Sequence, residues 1–359
     1  MNYFYLFYGW VRQEIFAIPG RIIALIFFAL LFTAPLITQE PYYLRIIIMA
    51  SIFAIFAISW DVLSGVAGQL SLGHALFFGI AAYAAGLLNL KLGWPVWLTI
   101  PSGAVVAVFF GLLVGIPALR MRGMYLGLVT LTFPIILTGV LFAIPVMGGE
   151  LGLSGIVRIS RSYTVTYYIV VAVFTASAFV MYKFTDVRSK FIRVGVVLHA
   201  IREDEITARG SGINTTAYKF LAFAVSGFFA GIAGGLYVHV IMLAEPSTLS
   251  LFFSIQAILW AVFGSAGTIY GAVVGVFLLY PMTEILSLFS WVEPLRFLIF
   301  AGILILTLLF MPEGISVWIL DKIEVKCPRC KLINFTTRHK CRACRAELHP
   351  DRPSNRGGY

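Results

Sequence analysis

The sequence predicts an all-α polytopic membrane protein of about ten transmembrane helices, followed by a small C-terminal zinc-ribbon-like tail. Three observations carry this expectation. Of 359 residues, 60% are apolar and only 12% are charged. The apolar residues gather in nearly uncharged runs, close to the roughly 20 residues that a helix needs to cross a bilayer core. All four cysteines fall in one stretch, CPRCKLINFTTRHKCRAC, beginning at Cys327.

Ten spans are expected, at 22–38, 45–64, 70–90, 95–119, 123–146, 163–183, 217–242, 251–265, 269–290 and 294–312. The first follows Arg12 and Arg21 as a secretory signal would. It is long and aromatic and lacks a clear small-x-small cleavage site, which predicts a retained helix. The segment VMGGELGLSGIVRIS, from Val146, is too polar and Gly-rich to span and is expected to be partly re-entrant.

Charge orients the chain. Residues 313–359 hold ten Lys/Arg against five Asp/Glu, and 183–219 hold seven against four, so the net charge of +10 is concentrated in short polar segments. Basic excess confined in this way follows the positive-inside rule and argues against nucleic acid as the partner. Both termini and the segment 184–216 are thereby expected in the cytoplasm. Arg158 and Arg161, in the outer loop 147–162, are exceptions. The expected division is a transmembrane domain over 1–315 and a cytoplasmic tail over 316–359.

Inside the spans, Gly227, Gly231 and Gly235 lie four apart, as do Gly267, Gly271 and Gly275. Such stripes let another helix pack closely; a gate whose backbones slide is the sharper alternative. Gly65, Gly68, Gly73 and Gly79 interrupt the apolar pattern less regularly and predict a broken helix, tolerated at membrane depth only where protein or a water-filled cavity covers it. A weak internal echo relates Trp60, Gly65 and Gly68 to Trp260, Gly264 and Gly267. Around the break cluster Asp61, Gln69, Ser71 and His74. Ionisable groups in a membrane are costly and point to function, here a translocation path; satisfying freed backbone groups is the competing reading. No charged ladder suggests a proton relay, which favours an external energy source. No G-x-x-x-x-G-K-[ST] phosphate loop occurs, and no catalytic triad, so the chain reads as a transporter and not an enzyme.

The stretch HAIREDEITARGSGIN, His199–Asn214, is the longest polar excursion before the tail. Ile201 and Ile206, with Ala200 and Ala208, are expected on one face of a short helix, with Arg202, Glu203 and Glu205 elsewhere. Gly210 and Gly212 terminate it. Physics alone leaves two readings: a solvated loop, or a surface that meets a partner.

Followed by KFLAFAVSGFFAGIAGGLYV, this run resembles the signature of branched-chain amino acid ABC transporter permeases of the LivM type. Four further blocks match in order: GQLSLGHALFFGIAAYAAG from Gly68, GMYLGLVTLTF from Gly123, GGELGLSGI from Gly148 and RFLIFAGILILTLLFMPEGI from Arg296. The resemblance covers roughly 45–315. It departs where Gly195 is followed by Val196, not Arg, and where Gly264-Ser265 replaces a Gly-Gly pair. It implies an importer subunit in the plasma membrane that binds no ATP itself. The implied partners are a homologous permease subunit, two ATPase subunits and an extracytoplasmic solute-binding protein. It further implies that Ala200–Asn214 docks an ATPase subunit, with Arg202, Glu203, Asp204 and Glu205 as polar contacts and Ala208 and Gly212 in the same segment. The implied cargo is leucine, isoleucine and valine; urea or another small solute is the alternative, and a secondary transporter or channel a more distant one.

The tail lies outside the resemblance. Cys327, Cys330, Cys341 and Cys344 follow C-x2-C-x10-C-x2-C, and two C-x2-C turns supply a tetrahedral thiolate shell. Zinc is the expected metal over about 326–346, iron the minor alternative. Two disulfides are disfavoured in a reducing compartment. A segment this short needs such a staple in place of a core.

Overall fold

The computed structural model describes residues 19–118, 121, 123–187, 193–289, 293–330, 333–336, 341 and 344–348. The chain divides into two compact units, Pro35–Gly314, and Met1–Ala34 together with Ile315–Tyr359.

Helix α1 (Pro19–Ile37) opens the described chain. The larger unit then contains α2 (Pro41–Trp60), α3 (Ala75–Leu92), α4 (Val96–Ala118), α5 (Met124–Ala143), α6 (Tyr163–Thr185), α7 (Val194–Glu203), α8 (Glu205–Gly210), α9 (Thr215–Ile241), α10 (Leu251–Gly264), α11 (Ile269–Leu286) and α12 (Arg296–Phe310). Eight helical stretches among the described residues are long and apolar enough to cross a membrane. Two others, Ile22–Ile37 and Leu251–Gly264, coincide with expected spans but are shorter. The latter ends at Gly264, where the backbone turns through Ser265 at φ +139°.

Helix α2 starts with Pro41 in its first turn, where a missing N–H costs nothing. It is the hub: 94% of the apolar window in Pro41–Val66 is buried, against 6% in Glu293–Phe310, so α12 faces outward. α9 packs against α2, α3 and α4. The segment expected to be re-entrant forms short 3-10 turns at Pro145–Met147 and Gly149–Leu151. Strand β1 (Leu153–Ser154) follows and pairs antiparallel with β2 (Leu243–Ala244). Its Leu153 and Ile156 are buried with Ala82, Tyr83 and Val238, which pins the loop to the bundle.

The expected span 70–90 begins later than its apolar pattern suggests. α2 passes at Asp61 into a π-helical turn, Asp61–Val66, and regular structure resumes only at Ala75. Backbone groups cannot remain unpaired at that depth, and side chains satisfy them. Ser64 Oγ donates to the Gln69 carbonyl at 3.1 Å and accepts from the Ser71 N–H at 3.1 Å. Trp60 Nε1 donates to the Ser71 carbonyl at 2.7 Å. Thr130 Oγ1 accepts from the Leu72 N–H at 3.1 Å and Ser254 Oγ from that of Ala75 at 2.9 Å. These bonds clasp the break between α2, α5 and α10.

In the smaller unit α13 (Ile315–Ile323) leads into β3 (Glu324–Lys326), which pairs antiparallel with β4 (Ile333–Phe335), Glu324 opposite Phe335 and Lys326 opposite Ile333. Cys327, Cys341 and Leu348 form its buried centre, with Val325 and Ala346 against them.

Candidate functional site

The charged stretch does not form the single helix expected of it. Asp204 leaves the helical region (φ −153°, ψ 105°), ends α7 and caps α8. Its carboxylate accepts from the N–H of Ile206 at 2.8 Å and of Thr207 at 3.2 Å, and from Thr207 Oγ1 at 2.6 Å. Those bonds favour the charged form and hold the Asp204 carboxyl below its ordinary value, the Thr207 hydroxyl contributing most. An aspartate at an N-cap supplies acceptors for otherwise unpaired N–H groups, so a charge within this run is used locally. The break also rotates the second half: Ile201 and Ala208 are buried, while Ile206, expected beside them, is 71% exposed. Gly212 ends the excursion at φ +82°, its N–H bonded to the Arg209 carbonyl at 3.0 Å.

Glu205 is likewise engaged within the chain. It meets Lys219 of α9 at 2.6 Å and Arg209 at 2.9 Å. The Lys219 side chain is only 7% exposed, and a buried ammonium requires such a partner. Arg202 donates from Nη1 to the Gly65 carbonyl in the π-helical turn. Burial, followed by the Arg202 guanidinium, keeps His199 below its ordinary value. Glu203 is exposed and has no hydrogen-bond or ion-pair partner among the described residues. The four adjacent charges therefore divide: Arg202, Asp204 and Glu205 bind their own chain, and Glu203 faces outward.

Beneath Arg202 lies the polar cluster at the break. Asp61 is fully buried, its Oδ1 accepting from the Gly267 N–H at 2.5 Å while Oδ2 has no partner among the described residues. His74 is fully buried too, with Nε2 2.9 Å from Ser59 Oγ and its ring stacked on Phe56 at 5.3 Å between centroids. Gln69 donates to the Ala67 carbonyl at 3.3 Å. Ser71 is buried and takes part through its backbone. The structure brings Asp61, Arg202, Gly65 and Gly267 together and gives Gln69, Ser71 and His74 local bonds on the same irregular segment. Two segments that echo each other in sequence meet here, Gly65 against Gly267.

The glycine stripes divide as well. On α9, a Cβ at Gly231 would stand 2.7 Å from Ala104 Cα, one at Gly235 3.2 Å from Ile100 Cα, and one at Gly227 2.5 Å from the Phe77 ring. That face packs on α4 and α3 within this chain. Gly271 and Gly275 of α11 abut the backbone of Ser265 and Trp260. Gly267 is not on the helical stripe expected: it lies in the turn before α11 at φ +84°. Only glycine adopts that conformation freely, and it aims the N–H at Asp61. Sequence reasoning missed Lys219 and the Gly65 carbonyl. A lone lysine in an otherwise apolar helix was a usable signal for the first; a backbone acceptor has none.

In the tail, the four cysteine sulfurs lie within 4.8 Å of one another. Cys327 and Cys344 sulfurs are 3.5 Å apart, as are those of Cys330 and Cys341. Disulfide sulfurs would sit at about 2.05 Å, whereas a tetrahedral shell at about 2.3 Å has edges of about 3.8 Å. The donor set therefore fits one metal ion. The backbone N–H of Cys330 beside Cys327 holds that thiol below its ordinary value, favouring the thiolate.

Comparison with known proteins agrees with this architecture. The profile of the family described as branched-chain amino acid transport system / permease component matches residues 42–309. The chain is 28% identical over 311 residues to the high-affinity branched-chain amino acid transport system permease protein LivM of Salmonella typhimurium, covering 79% of this chain and 72% of that protein. It is 27% identical over 295 residues to the protein of the same name from Escherichia coli, covering 74% and 68%. No solved structure matches. Its membrane-spanning helices and its match over 42–309 make this chain a member of the branched-chain amino acid transport system permease component family.

Proposed function

We propose that this chain is the membrane-spanning subunit of an ATP-driven plasma-membrane importer of leucine, isoleucine and valine. It works with a homologous permease subunit, two ATPase subunits and an extracytoplasmic solute-binding protein. The names of the two bacterial relatives support the cargo. The observation that carries the mechanism is the Arg202 bond to the Gly65 carbonyl. It joins a charged helix pair to the broken membrane segment, so displacement of α7 and α8 by a docked ATPase is transmitted to Asp61 and Gly267.

In this reading the segment 200–214 is the docking surface, lying on the cytoplasmic side with both termini. Glu203 is its outward contact, Asp204 and Glu205 hold its shape with Ala208 and Gly212, and Arg202 is the link inward. Asp61, Gln69, Ser71 and His74 border the translocation path at the break. The membrane domain runs through residue 315. The tail, 316–359, carries a zinc held by Cys327, Cys330, Cys341 and Cys344, which would fasten its two cysteine turns. Zinc's role there is structural, since four thiolates leave no open position.

The test is uptake of labelled leucine, isoleucine, valine and urea by the complete complex in proteoliposomes, with ATP hydrolysis measured in parallel. Glu203→Lys is expected to weaken recovery of the ATPase subunit, since disrupting a charged contact that docking buries costs about 2–5 kcal/mol, while the chain inserts normally. Arg202→Gln is expected to keep the ATPase bound and lower uptake per ATP. Uptake without ATPase subunits, equal uptake of urea, or unchanged behaviour of both variants refutes the proposal.

A further inference from the structure

Arg158 and Arg161 break the charge asymmetry of the sequence, and the transport reading leaves them unused. The structure gathers them with Arg45 around a single cavity of about 160 Å³. Its walls come from the first two turns of α2, the first turn of α6, the last turn of α9 with Met242, and the loop at 158–161. Three termini of membrane-spanning helices thus meet at the cavity, where a chain leaves the apolar interior.

The charges are available. Arg45 and Arg161 have no hydrogen bond or ion pair among the described residues, although Arg45 also lies within electrostatic reach of Tyr237 and Tyr280 on its other side. Arg158 spends Nε on the Met242 sulfur at 2.8 Å and lies 5.7 Å above the Tyr163 ring, which fixes its plane. The floor is rigid: His239 Nδ1–H donates to the Val157 carbonyl at 2.7 Å, and Nε2 lies 2.7 Å from Thr99 Oγ1. His239 thus anchors the arginine loop to α9 and α4. Ile48, Val240 and Ile241 supply an apolar wall.

No aspartate or glutamate is among the described residues that line the cavity. A zwitterionic amino acid would place its ammonium among three guanidinium groups with no carboxylate among the described lining residues. A net anion with several acceptor oxygens suits them, because arginine's planar fork matches phosphate geometry. We infer that Arg45, Arg158 and Arg161 form a binding site for a phosphate-ester anion, the headgroup of an anionic phospholipid. Each Lys or Arg near a membrane surface attracts anionic lipid by about 1 kcal/mol, and the apolar wall accepts the glycerol and first acyl carbons.

The full chain, purified in mild detergent, would be examined by native mass spectrometry after titration with phosphatidylglycerol, phosphatidylcholine or inorganic phosphate. Wild type is expected to retain one phosphatidylglycerol in preference to phosphatidylcholine. Arg158→Gln and Arg161→Gln are expected to weaken retention roughly five-fold each, the scale of one basic residue at a membrane surface. Far-ultraviolet circular dichroism separates lost binding from lost folding, and Arg45→Gln, on a different element, provides a third reading. Saturable binding of inorganic phosphate without retained lipid keeps the anion site and reassigns its source to free phosphate. Equal lipid retention by folded variants, no preference for the anionic lipid together with no phosphate binding, or protection by leucine in place of either anion overturns the assignment.

Discussion

Gly231 sits where α9 crosses α4 so closely that one methyl group has no room. A Cβ there would lie 2.7 Å from Ala104 Cα, 3.1 Å from Ala104 Cβ and 3.3 Å from Ala107 Cβ. Carbon atoms attract best at about 3.5–4.0 Å, and the nearest obstacle is backbone that no rotamer change removes. Gly231→Ala must therefore separate the helices by about 1 Å, and overpacking of this kind costs about 1–3 kcal/mol. Alanine also returns about 1 kcal/mol of helix propensity. Gly302 of α12 isolates that gain, because nothing lies within 4 Å of its added Cβ. Gly235, at 3.2 Å from Ile100 Cα, is intermediate. The expected order of stability is Gly302→Ala, then Gly235→Ala, then Gly231→Ala, with the extremes about 1–3 kcal/mol apart. Thermal unfolding of the isolated chain in detergent, followed by loss of the monodisperse peak, measures it. If Gly231→Ala matches Gly302→Ala, the close crossing of α9 and α4 is wrong.

The Asp204 cap makes α8 sensitive to acid. Because its carboxyl is held below the ordinary value in the folded chain, the stabilisation is complete above the carboxylate range and is lost as pH falls through the folded value. Proteolysis after Arg209 should accelerate on acidification in wild type and lose that pH dependence in Asp204→Asn, which still caps; the same profile in both would exclude the cap as its origin. In the tail, Cys341→Ser should release one zinc per chain and unfold 324–348 locally while the membrane helices stay inserted. Structural zinc contributes roughly 10–16 kcal/mol of apparent binding free energy, more than so short a segment gains by burial. Elemental analysis decides it: iron at the same stoichiometry would replace the metal, and equal zinc in the variant would remove the site.

The spans were legible because they are local. In lipid each helix must bond its own backbone, so an apolar run of sufficient length announces itself, and all ten expected runs coincide with apolar helices. The cysteine spacing was legible for the same reason, as each C-x2-C turn is complete within a few residues. The charged loop was legible only as a place. The Asp204 cap is made within three residues and was open to a local reading, but the Lys219 ion pair and above all the inward Arg202 link depend on atoms farther along the chain. Arg202 and Gly65 are separated by 137 positions, and Asp61 and Gly267 by 206. Arg158 and Arg161 likewise stood out in the sequence, but Arg45 joins them only where α2 and α6 begin beside the end of α9. Composition and spacing determine which segments leave water, since that depends on each segment's own transfer free energy. Which carbonyl a guanidinium reaches, and which helices a glycine lets touch, is decided by packing, because those partners share no neighbourhood until the chain is folded.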